Sequence, residues 1–95
     1  MLHILNKAPH SDTAQQMLQA ASGYDVLLLI EEAVQAALYP NWDGWHSGVS
    51  SIFLLAEDLS ARGLHQVAVT NGLPMVEMDE FIVLTEQNEQ IVTWY

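Results

Sequence analysis

Five consecutive apolar residues, Val26 to Ile30, stop without transition at two glutamates, Glu31 and Glu32. No other stretch constrains the fold as much. An unbroken aliphatic run of this length has no polar face, so it suits a central strand of a parallel sheet, buried on both sides. Ala33, Val34, Ala36, Ala37 and Leu38 then continue with side chains compatible with a helix. The acidic pair therefore falls at the carboxyl end of a strand and near a helix N-terminus, where the macrodipole favours negative charge. The pair also meets the ordinary preference for acidic first turns. In open α/β sheets this edge is where ligands and partners dock.

The flanking sequence supplies the other layers. Leu2, Ile4 and Leu5 predict a first strand with His3 inside it, and Pro9 makes a loop of Asn6 to His10. Ser11 or Asp12 can cap a helix in which Ala14, Met17, Leu18 and Ala21 share one face and Gln15, Gln16 and Gln19 face outward. Gly23 is expected to end it in a left-handed conformation. Tyr39 to Gly48 is rich in turn formers yet carries Trp42 and Trp45. Those rings fit two roles, a lid folded back on the core or an amphipathic contact surface.

Val49 to Leu55 reads as a third strand, followed by a short helix from Ala56 to Arg62 closed by Gly63. Leu64 to Leu73 reads as a connection with an extended piece at Val67 to Val69, and Pro74 to Met78 as a fourth strand. Asp79 is expected to cap a helix that turns Phe81, Ile82, Leu84 and Thr85 inward, and Ile91 to Trp94 forms a terminal strand. Strands alternating with helices imply βαβ units with right-handed crossovers. The expected architecture is α/β: a single three-layer domain over residues 1–95, with a mostly parallel sheet flanked by helices. Leu27, Leu28, Leu29, Ile52, Leu54 and Val76 are its expected core.

Composition excludes several functions. Only Lys7 and Arg62 are cationic against twelve acidic residues, a formal net charge of -10. Such a chain cannot build the phosphate-neutralising surface on which nucleic-acid affinity rests. There is no cysteine, which rules out disulfides and thiolate chemistry for this subunit alone. No apolar run approaches the ~20 residues of a membrane span, and the N-terminus lacks the pattern of a signal peptide, so a cytoplasmic location is expected. Hydrophobic residues make up 51% and charged ones 15%, which leaves room for an apolar surface reserved for a partner.

No catalytic constellation emerges. His3, His10, His46 and His65 lie on four separate segments without metal-ligand spacing, so neither a metal nor a cofactor is expected. His3, inside a strand, reads as a structural histidine. There is no nucleophile elbow and no phosphate-binding glycine loop. Glu31/Glu32 and Glu57/Asp58 are adjacent in sequence, so each pair diverges on a helix instead of converging on a substrate.

MLHILNKAP, DVLLLIEEAVQAAL, LLAEDLSARGL and VEMDEFIVLT with Trp94 near the end occur in an order that resembles the TusB/DsrH family of sulfur-relay subunits. The blocks span nearly the whole chain, while Tyr39 to Ser51 departs from the family. The resemblance implies a central, mostly parallel five-stranded sheet. It also implies assembly with TusC/DsrF-like and TusD/DsrE-like paralogs into a dimer of heterotrimers, a heterohexamer that passes sulfur to a downstream carrier. In the Tus branch the relay ends in 2-thiolation of a tRNA wobble uridine; in the Dsr branch it serves sulfur oxidation in the cytoplasm. The DsrE-like subunit carries its sulfur-bearing cysteine at the start of the helix after its third strand, where this chain has Leu55, Ala56, Glu57 and Asp58. Some DsrH-like members have a cysteine in the first helix, where this chain has Gln16, Met17 and Leu18.

A thioether forms no persulfide, so the expected role is a non-catalytic subunit, leaning to the Tus branch. Its candidate contact surface is Lys7 with Ile30, Glu31, Glu32, Ala33 and Val34, extended to Trp42 and Trp45. Two other classes stay open to the residues alone. One is a small free-standing enzyme using His10 or His46 with nearby carboxylates. The other is an acidic adaptor that self-associates and has no part in sulfur chemistry.

Overall fold

The computed structural model describes residues 1–95. Five strands form one all-parallel sheet: β1 (Leu2–Leu5), β2 (Val26–Leu29), β3 (Ser51–Leu55), β4 (Met75–Val76) and β5 (Ile91–Trp94), in the order β4-β3-β2-β1-β5. The helices are α1 (Asp12–Ala20), α2 (Ala56–Ala61), α3 (His65–Thr70) and α4 (Met78–Gln87), with 3-10 segments at Glu31–Leu38 and Asp43–His46. The aliphatic run Val26–Leu29 is the middle strand, as its lack of a polar face requires.

The order of strands decides where the helices go. From β1 to β4 every step moves the same way across the sheet, so right-handed crossovers place the intervening segments on one face. The return from β4 to β5 spans the whole sheet in the opposite direction, which sends α4 to the other face. The packing follows this plan. Leu5, Leu27, Leu29, Ile52 and Leu54 meet Ala14 and Met17 of α1, Ala33 to Ala37 of the 3-10 helix, Leu59 of α2 and Ala68 of α3. On the opposite face Leu2, Ile4, Leu28, Leu55 and Val76 meet Phe81 and Leu84 of α4. All six residues expected in the core are buried.

Several local expectations need correction. The segment after β2 is a 3-10 helix, not an α-helix. Its buried residues fall in two rows three apart, Ala33/Ala36 and Val34/Ala37, and a helix of three residues per turn puts each row on one side. The small side chains permit the close approach. Leu64 to Leu73 contains no extended piece: the β-branched Val67 and Val69 suggested one, but Leu64, Ala68 and Leu73 pack together on the core and draw the segment into α3. β4 shrinks to two residues, although the Pro74 carbonyl still accepts from the Leu54 N–H at 3.0 Å.

Ser11 caps α1 by accepting from the Ala14 N–H at 3.2 Å. Gly23 is not the left-handed stop; the chain leaves α1 through an extended Ala21. The next turn is closed by Asp25, whose Oδ2 accepts from the Ser22 N–H at 3.0 Å. Asp79 does not cap α4. Glu77 does, in a reciprocal box with Glu80. Ile82, expected inside, is 52% exposed.

Candidate functional site

All five strands run the same way, so their carboxyl ends gather on one edge. There the loops after β3 and β4 part company: β3 leads into α2 on one face, β4 into α4 on the other. Such a divergence opens the crevice in which open α/β sheets bind ligands. In this chain it is a cavity of about 350 Å³ lined by Ala56, Glu57, Ser60, His65 and Glu77. Sequence reasoning named Glu57 and Asp58 as a diverging pair but not what they hold. Asp58 Oδ2 accepts from the Glu31 N–H at 2.6 Å, and Glu57 Oε2 accepts from the Met78 N–H at 3.1 Å. Two neighbouring carboxylates thus tie the ends of β2, β3 and β4 together.

The Asp58 bond also holds an unusual backbone. Glu31 has φ of +52°, in the left-handed region that costs a residue with a Cβ of order 1 kcal/mol or more. Its N–H is thereby turned toward α2, and the glutamate side chains of Glu31 and Glu32 stay exposed. Nothing in the residue types alone marks this strain, because glutamate is not a residue that favours the conformation.

The remaining candidate residues separate into two groups. Lys7, Glu31 and Glu32 are exposed, and Ile30 and Trp45 are half-buried. Lys7 pairs with no carboxylate of its own chain. Ala33, Val34 and Trp42 face the interior, at 0%, 0% and 2% exposure, and support the edge from beneath without being open to contact. Of the two roles open to the tryptophans, Trp42 takes the lid: its Nε1–H donates to the Pro9 carbonyl at 2.7 Å, and its ring meets Trp45 edge to face.

The histidines do not assemble a catalytic group. His10 packs edge-on against Tyr39, and His46 Nε2 meets the Pro40 carbonyl. His3 alone meets a carboxylate, with Nε2 2.8 Å from Asp25 Oδ2. Trp94 Nε1–H donates to His3 Nδ1 at 3.1 Å, so Nε2 carries the ring proton and donates it to Asp25. The ring is 1% exposed, which makes it a structural tie between β1, β5 and the turn before β2. Glu77, Asp79 and Glu80 bring carboxylates within 4.8 Å of one another, but all three are exposed and Glu77 and Glu80 are engaged in the α4 cap.

Asp25 is the hub that sequence reasoning passed over. The Ser22 N–H, then His3, then the Met1 ammonium at 3.3 Å hold its carboxyl far below the usual carboxylate range, against an opposing effect of burial. A carboxylate depressed in the folded state stabilises it above the unfolded value and loses that contribution as pH falls toward the folded one. Stability is therefore expected to decline as pH drops below about 4. In urea titrations the gap between the parent chain and Asp25→Asn should be full at pH 6 and shrink progressively below pH 4. A gap unchanged down to pH 2 would contradict the assignment.

The fold and its crevice define a class: a small open-sheet α/β domain whose switch-point cavity is furnished with engaged carboxylates. The chain belongs to the DsrH-like family, since the model described as DsrH like protein matches residues 7–91. It is 29% identical over 97 residues to Protein TusB of Pectobacterium parmentieri, covering 99% of this chain and 100% of the relative. It is equally 29% identical, over 96 residues, to Protein TusB of Escherichia coli strain K12, with the same coverage. The solution structure of protein Tm0979 from Thermotoga maritima matches with a TM-score of 0.67 over 95% of this chain and 97% of that one. At 22% identity that likeness speaks to the fold alone. No helix is long and apolar enough to cross a membrane.

Proposed function

We propose that this chain is a non-catalytic subunit of a heteromeric sulfur-relay complex, of the kind that supports 2-thiolation of the tRNA wobble uridine. One observation carries the reading. The start of α2, the position at which a DsrE-like subunit bears its sulfur-carrying cysteine, holds Ala56, Glu57 and Asp58, and both carboxylates are engaged by backbone N–H groups. A persulfide relay needs an accessible thiolate, which paired carboxylates would disfavour even if a cysteine were placed there. In the first helix Met17 is fully buried in the core, so that position contributes packing, not sulfur chemistry. Full-length similarity to proteins named TusB favours the Tus branch.

In this reading the chain works in the cytoplasm and completes an assembly with TusC/DsrF-like and TusD/DsrE-like paralogs. Its exposed carboxyl-edge residues Lys7, Glu31 and Glu32, with the half-buried Ile30 and Trp45, form the contact surface near the partner's cysteine. Glu31→Lys with Glu32→Lys is expected to weaken assembly, seen by size exclusion with light scattering, while the far-ultraviolet circular dichroism of the chain stays unchanged. Assembly undiminished by both reversals would remove this edge from the interface. The isolated chain is expected not to retain tRNA on filters at physiological salt, because repulsion dominates with two cationic side chains. Micromolar retention with a steep salt dependence would overturn the charge argument.

A further inference from the structure

The two faces of the sheet are finished unequally. Four helical segments and the Trp42 loop close one face, while α4 alone covers the other and none of its residues is fully buried. Phe81 and Leu84 turn toward the sheet and remain half-exposed; Met78, Ile82 and Val83 are 46%, 52% and 47% exposed. Between α4 and the strands lies a cavity of about 230 Å³ lined by Phe53, Val76, Glu80, Val83 and Leu84. A ten-residue helix that buries so little returns little for the entropy of ordering it, and contiguous apolar exposure of this kind marks an interaction surface.

The charge around that surface selects its occupant. From Glu77 to the end of the sequence there are five acidic residues and no lysine, arginine or histidine. Glu80 lines the cavity itself, held there by the Glu77 cap. A second copy of this chain would bring the same acidic helix against its like, which is unfavourable.

We propose that the α4 face is a docking surface for a different protein, whose contacting segment inserts apolar side chains beside Val83 and Phe53 and flanks them with lysine or arginine. The inference rests on the reading of this chain as one subunit of an assembly, and adds a second surface on a separate face from the carboxyl edge.

The lack of cysteine makes the test direct. Ile82→Cys and Val83→Cys are each labelled with a maleimide, free and after reconstitution with the two DsrE- and DsrF-like paralogs of the same genome. Gln16→Cys on α1 reports the opposite face, and labelling is read by mass spectrometry of this chain. In the complex, labelling at 82 and 83 is expected to slow by about tenfold or more, as close packing of an interface core excludes reagent. Its dissociation constant is expected to rise about tenfold between roughly 50 and 500 mM salt. A complex that forms with both thiols reacting at the free-chain rate overturns the α4 surface and leaves the subunit reading intact. Failure of any complex to form overturns both. Protection that grows with concentration in the isolated chain makes the occupant a second copy and overturns the proposed partner, and a salt-independent affinity overturns its basic character.

Discussion

Leu28→Ala is expected to lower stability by about 2–5 kcal/mol, the range for truncating a buried leucine in a well-packed core. Leu28 sits on the middle strand, aligned with Ile4 of β1 on one side and Phe53 of β3 on the other, and is fully buried. It belongs to the thinner of the two cores, which α4 covers alone. Collapse of α4 into the space would bring the cost toward the lower end; a rigid cavity would bring it toward the upper. Chemical denaturation followed by circular dichroism measures the difference. A loss well under 1 kcal/mol would be incompatible with a strand buried on both faces.

The second large effect lies in the loop from Tyr39 to Gly48 that carries Trp42 and Trp45. Trp42→Ala is expected to cost about 3–5 kcal/mol, because it removes a buried indole and leaves the Pro9 carbonyl without its donor. Trp42→Phe keeps much of the volume and loses the hydrogen bond, so its cost should be smaller, about 1–3 kcal/mol. Gly44 checks the same packing from the other side. A Cβ there would lie 2.4 Å from the Trp42 ring, so Gly44→Ala must displace the indole and should also destabilise. If Trp42→Ala and Trp42→Phe were both neutral, the loop would be an appendage and not a lid on the core.

What could be read from the residues tracks how local its cause is. The parallel sheet follows from Val26–Leu29, a run with no polar side, and from strands separated by helix-length segments. The α1 cap follows from Ser11, and the apolar face of α1 from the spacing of Ala14 and Met17. Other features depend on partners distant in sequence. Val67 and Val69 favour strands by side-chain shape, yet Ala68 and Leu64 pull them into a helix against the core. Asp79 looks as good a cap as Glu77; the box with Glu80 decides between them. The carboxylate ties from Asp58 to Glu31 and from Glu57 to Met78 span 27 and 21 residues, and the left-handed Glu31 that they support has no local sequence signal. Asp25 has one local partner, the Ser22 N–H, but His3 and Met1, which make it a hub, lie a whole βα unit away.

Sulfur transfer with and without this chain tests the central claim most directly. Under the proposed function, candidate DsrE- and DsrF-like partner subunits are given a cysteine persulfide donor, with the next carrier of the relay as acceptor. The chain alone is predicted to transfer nothing. Added in equimolar amount to the paralogs, it should complete the assembly and raise transfer to the carrier. Transfer by the chain alone, or paralogs that assemble and transfer equally well without it, would contradict the account.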